Sequence, residues 1–291
     1  MIRHQAGRKH ASGVRAAEPS RRWLLLPREH GSWAMLLFPF VSAMVLTRAW
    51  DWALIPAAVA VLAAFLAREP LLALCRQRWL WTEPRPEAIT ARRTLWMITP
   101  VLATTGVWLL AVAPLVWIVA LAVAATLLTT VYIYAALHNR QRSIYLQLAG
   151  SMGLSASCFM PYLALGRQPD AGLLLLWLAY IVHGTGSVLV VHSEIEARWE
   201  RKAASAVHSP AHARKRVALL WQIVHGVVAG VLLLASEPEL AFILLASLSM
   251  HTLVLLRRQQ PAALAAPLRA IGFRELGIST VFSALLLISL W

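Results

Sequence analysis

Long apolar segments separated by short polar ones make up most of the chain. Runs of about 18 or more apolar residues recur from residue 31 onwards, and a helix of that length crosses the hydrocarbon core of a bilayer. The runs lack the strict alternation that a membrane β-strand requires. Breaks at charged, Pro or Gly positions predict nine transmembrane helices. Their ranges are 31–48, 53–74, 95–112, 115–137, 144–165, 172–192, 217–235, 239–256 and 275–291.

The composition supports this pattern. Hydrophobic residues make up 59% of the chain and charged residues 14%, which is too little charge for a soluble domain of this length. The predicted fold class is all-α: a polytopic membrane protein of about nine transmembrane helices. Residues 1–26 are basic and acid-poor and are predicted to be a disordered cytoplasmic tail. Residues 27–291 are predicted to be a single transmembrane domain.

The distribution of positive charge predicts an orientation. With the N-terminus inside, 25 of the 27 Lys and Arg residues lie on the inner side, and Arg48 and Arg167 lie outside. Cytoplasmic loops carry this excess of positive charge, so we predict a cytoplasmic N-terminus and an external C-terminus. The net charge of +14 is spread over short loops that face anionic lipid headgroups. A nucleic-acid partner is therefore not expected, and no protein partner is predictable.

Ionisable residues cluster at the predicted cytoplasmic helix ends. In PREHGSWAMLLFPF, residues 27–40, the triplet Arg28, Glu29 and His30 adjoins an apolar run. One interpretation is a well-formed helix start, with Glu29 favoured by the helix dipole. The other is that the triplet faces a polar cavity.

A second cluster lies inside an apolar segment. Arg68 and Glu69 precede Pro70 in FLAREPLLALCRQRW, residues 65–79, and charges at membrane depth need a partner or water. They form either an interfacial ion pair or part of a ligand site.

A third cluster follows the fourth helix, in YIYAALHNRQR at 132–142. Arg and Asn suit phosphate oxygens, so the cluster is either an anion site or an ordinary positive loop. Its candidate ligands are Tyr134, His138, Asn139, Arg140 and Arg142.

The fourth cluster, HGTGSVLVVHSEIEARWERK at 183–202, is the richest. On a helix, His183, Ser187 and Glu194 share one face. A second stripe has the spacing of a weak metal site, although neighbouring Arg and Lys side chains would pair with it as ordinary helix salt bridges. That stripe consists of His192, Glu196 and Glu200.

Isolated polar residues on the last three helices are interpreted as interhelical hydrogen-bonding groups. They are Gln222, His225, Ser247, His251, Glu275, Ser279 and Ser283.

Two of these stretches resemble a known family. PREHGSWAMLLFPF resembles the N-terminal signature of the YwiC-like family, and RAIGFRELGISTVFSALLL at 269–287 is similar to its last helix. The resemblance covers most of the chain. It implies a bacterial protein of the inner (cytoplasmic) membrane, from a family without a settled activity.

The layout also resembles that of the UbiA-type intramembrane prenyltransferases, which place polar clusters after helices two, four and six. That resemblance implies a UbiA-like bundle and binding of an isoprenoid diphosphate. The family's paired Asp-rich motifs for Mg²⁺ are absent here, so the cofactor is unknown and a magnesium site lacks support from such a motif.

Together these patterns predict a cytoplasm-facing cavity that binds an amphipathic or isoprenoid-type lipid with an anionic head. The hypotheses left open are a prenyltransferase-like enzyme with Glu69 or Glu194 as base or single-metal ligand, a non-catalytic lipid-binding protein, and a small-solute transporter. The predicted ligand-binding residues are Arg28, Glu29, His30, Arg68, Tyr134, His138, Asn139, Arg140, Arg142, His183 and Ser187.

Overall fold

The computed structural model describes residues 24–25, 30–140, 143–203, 211–257 and 267–290, without the side chains of 30, 200–203 and 211–214. Apart from Leu24 and Leu25, the predicted disordered tail lies outside the described residues. So do the candidate ligands Arg28, Glu29 and Arg142, and the side chains of His30 and Glu200.

Every regular element in the described part of the chain is helical, which confirms the all-α prediction. A short 3-10 helix, Ala156–Cys158, connects α5 to α6. The α-helices are α1 His30–Thr47, α2 Leu54–Trp79, α3 Pro86–Val112, α4 Leu115–Leu137, α5 Ile144–Ser155, α6 Phe159–Ala164, α7 Ala171–Ala203, α8 Ala211–Leu234, α9 Pro238–Arg257 and α10 Leu268–Leu290.

These helices correspond to the nine predicted membrane passages. Seven of the described helices are long and apolar enough to cross a membrane, namely α2, α3, α4, α7, α8, α9 and α10. The shorter α1 is also apolar. The fifth passage is split into α5, the 3-10 helix and α6. Pro161 explains the break, because it has no N–H to donate to the carbonyl of Ser157, four residues earlier.

Five helices extend beyond their predicted ranges by at least five residues. α2 ends at Trp79 instead of 74, α3 begins at Pro86 instead of 95, α7 ends at Ala203 instead of 192, α8 begins at Ala211 instead of 217, and α10 begins at Leu268 instead of 275. Hydropathy detects the apolar part of a helix and misses a polar continuation. For α3 that continuation is favoured by a proline in its first turn and by Glu87, an acid near the positive end of the helix dipole.

Contacts at one end of the bundle fix the relative direction of several passages. Arg48, after α1, donates to the carbonyl of Leu290 at the end of α10. Arg167, after α6, donates to the carbonyl of Thr47 at the end of α1. The first, fifth and ninth passages therefore end on the same side of the bundle. This agrees with the predicted order, because the odd-numbered passages of such a chain all run in the same direction. Which side is the cytoplasm stays a prediction.

The helix α7 is at the centre of the bundle and packs against α1, α5, α8, α9 and α10. The largest buried apolar cluster includes Leu173 and Leu176 of α7, Leu244 of α9 and Phe282 of α10. By contrast, Ala136 is the one buried residue within α4, so α4 lies at the periphery. The central and peripheral helices form two different sites.

Candidate functional site

The predicted polar face of α7 is buried in the centre of the bundle. His183, Ser187 and Glu194 are each less than 5% exposed, and all three contact other helices. Two glycines of the HGTGS segment permit this packing. A Cβ on Gly184 would lie 2.5 Å from the Ser151 hydroxyl oxygen of α5, and one on Gly186 would lie 3.1 Å from Nδ1 of His251 on α9.

At one end of this face, two carboxylates and two guanidiniums form a charged cluster. Arg274 Nη2 donates to Glu194 Oε2 at 2.6 Å and to Glu275 Oε1 at 2.9 Å. Arg198 Nη2 donates to Glu194 Oε1 at 3.2 Å. The Arg274 side chain is 34% exposed, whereas those of Glu194 and Glu275 are 3% and 9% exposed. Arg274 therefore connects buried carboxylates to the bundle surface.

Deeper in the bundle, Glu275 is next to a pair of histidines. Its Oε2 accepts a hydrogen bond from Ser187 at 2.8 Å and lies 3.6 Å from Nε2 of His251. The imidazole of His251 stacks on that of His183, with the ring centroids 5.2 Å apart. The three helices α7, α9 and α10 thus each contribute one titratable side chain to a buried group.

Hydroxyl groups extend the group further along α7. The two ring nitrogens of His183 lie 2.7 Å from Ser247 Oγ and 3.0 Å from Ser279 Oγ. The Tyr180 hydroxyl lies 2.7 Å from Ser42 Oγ and donates to Ser283 Oγ at 3.1 Å.

A cavity of about 20 Å³, lined by Tyr180, His183 and Ser279 among others, lies beside these hydroxyls. That volume is enough for one water molecule.

We call this set the buried polar network. It consists of Ser42, Tyr180, His183, Ser187, Glu194, Arg198, Ser247, His251, Arg274, Glu275, Ser279 and Ser283. From Tyr180 to Glu194 it extends about 21 Å along α7, at 1.5 Å per residue. For comparison, the hydrocarbon core of a bilayer is about 30 Å thick.

A second site lies on the other side of α1 and α5. A cavity of about 400 Å³ opens between α2, α3, α4 and α5, and most of its lining side chains are apolar. Small residues such as Ala64, Gly106 and Gly150 provide much of the space. Two of its hydroxyls are bonded to backbone carbonyls, Ser157 to Leu36 and Thr105 to Val101. We call it the apolar cavity.

Arg68 is the only charged residue among those described around the apolar cavity. Its guanidinium carbon lies 4.5 Å from the ring centroid of Tyr132, a cation–π distance. Its Nη2 donates to Glu69 Oε1 at 3.2 Å. Along α4 the cavity runs from Ile118 to Tyr132, about 21 Å, so the charge is at one end of a long apolar space.

The third predicted cluster forms an exposed helix terminus. His138, Asn139 and Arg140 are exposed. The Arg140 amide donates to the carbonyl of Ala135 and the Asn139 amide to that of Ala136, while Asn139 adopts the left-handed conformation at φ 58°. This is a Schellman motif, which ends a helix.

Tyr134 belongs to the same terminus. It is 64% exposed, and its ring lies 4.3 Å from that of His138. The residue that lines the apolar cavity is Tyr132, two positions earlier. Binding of a ligand by Tyr134, His138, Asn139 or Arg140 stays a prediction.

The weak metal candidates on α7 whose side chains are described are His192 and Glu196. His192 Nε2 lies 2.6 Å from the Gln147 side-chain oxygen of α5, and Glu196 is half-buried on the same helix. Among the described residues, no group of three His, Cys, Asp or Glu side chains is placed to hold a metal ion.

The two candidate catalytic residues belong to different sites. Glu69 pairs with Arg68 beside the apolar cavity, and Glu194 pairs with Arg198 and Arg274 in the buried polar network. Helices α1 and α5 lie between the sites and line both, as Leu36 and Leu154 do on one side and Ala34 and Ser155 on the other.

Sequence reasoning identified most members of the buried polar network and missed their connections. The polar residues of α9 and α10 are predicted to be hydrogen-bonding groups, and Ser247, Ser279 and Ser283 have that role. Arg274, the connecting cation, was not singled out. Its position next to Glu275 near a helix start was the available signal, because adjacent opposite charges at a membrane edge are usually paired.

Comparison with known proteins gives a match for the N-terminal part of the chain. Residues 26–162 match the family model described as YwiC-like protein, a range that covers α1 to α5 and all the described residues that line the apolar cavity. No curated protein matches the chain significantly, and no solved structure does.

Proposed function

We propose that this YwiC-like membrane protein binds an amphipathic lipid, with an anionic head at Arg68 and an apolar tail in the apolar cavity. One observation carries the proposal: among the described lining residues, Arg68 is the charged one, and it lies at the end of a mostly apolar cavity of about 400 Å³. Arginine suits an anionic head, since its planar fork matches carboxylate and phosphate groups.

The dimensions of the apolar cavity fit such a ligand. Pockets for small molecules have volumes of about 300–1,000 Å³ and are mainly hydrophobic with few polar groups. Here the length of about 21 Å suits an extended chain, including one of isoprenoid type. Because Ser157 and Thr105 donate to carbonyls, their hydroxyls require no polar partner from the ligand.

The position of α4 supports entry from the bilayer. Its outer side chains are exposed, for example Val119, Val123 and Leu127, while Leu121, Ala125 and Leu128 face the cavity. A lipid could therefore pass between α4 and its neighbours without crossing water. Arg140, two turns beyond Tyr132, would meet a head group that extends past the cavity.

The contacts favour binding over catalysis. A transferase of UbiA type would need a carboxylate beside the bound head as base or metal ligand. Among the described residues, Glu69 is the carboxylate that contacts Arg68, and it accepts a hydrogen bond from that arginine. Glu194 is bonded by two arginines on the far side of α1 and α5. Transport of a small solute is the second candidate, favoured by the titratable buried polar network.

The test is mass spectrometry of lipids that co-purify with the protein in nanodiscs. One variant tests the contact with the lipid head, and another tests the space for the lipid tail. Arg68→Ala removes the head contact, and Gly150→Leu fills the tail space, since a Cβ at Gly150 meets no atom within 4 Å. The matched controls are Arg257→Ala, exposed at the end of α9, and Gly230→Leu on α8, where a Cβ is also unobstructed.

We expect Arg68→Ala to reduce the anionic lipid by about tenfold to a hundredfold, because a hydrogen bond to a charged group contributes about 1.5–3 kcal/mol. Gly150→Leu should remove the lipid altogether, and both controls should retain it. Lipid contents equal to those of the controls in both variants would refute the proposal. The mass spectrum itself distinguishes an isoprenoid from an acyl chain.

A further inference from the structure

The buried polar network contains more titratable groups than charge pairing requires. Two carboxylates, Glu194 and Glu275, face two guanidiniums, Arg198 and Arg274, so their formal charges cancel. His183 and His251 lie beside this balanced set. Ser or Thr side chains would hold helices together at less cost, whereas chains of Glu and His at membrane depth are typical of proton relays.

We propose that the buried polar network binds an exchangeable proton, which enters at the Arg274 end and is held by the His251–Glu275 pair. Arg274 is the most exposed of the four ion-paired side chains, so water reaches the charged cluster there. By the orientation predicted from the positive charges, this end faces the cytoplasm. The site is separated from the apolar cavity by α1 and α5, so it does not depend on lipid binding.

The geometry provides an acceptor with a counter-charge. A proton that binds Nε2 of His251 forms an imidazolium 3.6 Å from the Glu275 carboxylate, and no bond between heavy atoms changes. Ser187 and Arg274 already donate to that carboxylate, which keeps it ionised as the partner of the imidazolium. The other ionisable groups packed around His251 are His183 of α7 and His225 of α8. Glu194 of α7 instead accepts hydrogen bonds from Arg198 and Arg274.

The network also offers a route deeper into the bundle. His183 is hydrogen-bonded at both ring nitrogens, to Ser247 and Ser279, so it can accept a proton at one nitrogen while it releases one from the other. Ser247 lies one turn from His251 on α9. Ser279 lines the cavity of about 20 Å³ that also contacts Tyr180. One water there would continue the path to the Tyr180 hydroxyl.

The route is closed beyond Tyr180. Leu176, one turn earlier on α7, and Leu286, one turn after Ser283 on α10, are 2% and 1% exposed. This packed apolar layer separates the hydroxyls from the opposite end of the bundle. Among the described residues, the charged part of this proton site therefore meets the bundle surface at Arg274, and packed leucines lie beyond its hydroxyl end.

The experiment follows individual histidines by NMR. Protein with ¹⁵N-labelled histidine is placed in nanodiscs and titrated between about pH 8 and pH 5, the range in which histidine changes charge. The His251 signal is assigned by its loss in His251→Gln. Two variants are compared with the native chain: Glu275→Gln, which removes the counter-charge, and His225→Gln, which removes a buried histidine outside the network.

We expect His251 to change from neutral to imidazolium in the native chain and in His225→Gln. In Glu275→Gln it should stay neutral throughout, because the positive ring would lose its carboxylate. Buried histidines that all stay neutral in the native chain would overturn the proposal, whatever the variants do. So would an unchanged transition of His251 in Glu275→Gln. An unchanged His183 signal at pH 8 verifies that the variant is folded.

Discussion

Arg274 is expected to be the side chain on which the charged cluster depends most. Its Nη2 donates to Glu194 at 2.6 Å and to Glu275 at 2.9 Å, and its Nε donates to Glu275 at 3.3 Å. Arg274→Ala removes all three hydrogen bonds. Glu194 keeps Arg198 as a partner, so the uncompensated charge falls mainly on Glu275.

The expected loss of unfolding free energy follows from the burial of the carboxylates that Arg274 contacts. Removing one partner of a buried ion pair costs about 3–5 kcal/mol. Because Arg274 is one-third exposed and Ser187 still donates to Glu275, we expect the lower end, about 3 kcal/mol of unfolding free energy. Arg274→Lys should recover part of the loss, since it keeps the charge without the fork.

The assay is reversible unfolding by denaturing detergent in mixed micelles, with Arg257→Ala as the control. Arg257 is exposed at the end of α9, and such surface changes are usually within about 0.5 kcal/mol. The double variant Arg274→Ala/Glu275→Gln should be more stable than Arg274→Ala alone, because it removes the orphaned charge. If Arg274→Ala and Arg257→Ala destabilise equally, the contacts of the charged cluster do not contribute as argued.

Two further predictions concern packing and topology. Gly186→Ala should destabilise the protein by about 1–2 kcal/mol in the same assay, because its Cβ would lie 3.1 Å from His251 Nδ1. The control Gly277→Ala, whose Cβ would have no atom within 4 Å, should be neutral or stabilising by up to about 1 kcal/mol. Equal effects of the two substitutions would contradict the close contact at Gly186. Reporter fusions in each loop should place the C-terminus outside and the N-terminus inside, and a cytoplasmic C-terminus would contradict the nine-passage topology.

The membrane passages and the polar face of α7 can be predicted from the sequence alone. Hydropathy detects apolar length, and a helical period of 3.6 residues places His183, Ser187 and Glu194 on one side. Both properties are local. The break at Ala156–Cys158 also has a local cause. Hydropathy does not detect it, because the passage is apolar on both sides of the 3-10 helix.

The partners of those residues could not be predicted, because they are distant in the chain. Ser247 and Ser279 lie 64 and 96 residues from His183, and nothing in a single sequence aligns helices at that separation. That Tyr132 lines the apolar cavity could not be predicted for a similar reason. Two positions on a helix differ by about 200°, and α4 is apolar on all sides, so its pattern does not show which side faces inwards.

The apolar cavity is a property of the space between helices and has no sequence signal of its own. Its small lining residues, such as Ala64 and Gly150, have the same hydropathy as residues that pack tightly. The volume depends on how far α4 lies from α2 and α5.

The wall that α5 forms between the two sites has a consequence for the length of this segment. Neighbouring residues face opposite sites: Leu154 lines the apolar cavity and Ser155 the small polar one. One inserted residue upstream would rotate both by about 100°, so that a hydroxyl would turn towards the apolar cavity and a leucine towards His183. Insertions and deletions should therefore be tolerated in the exposed turn at 138–140, but not within the single-layered partition at 144–155.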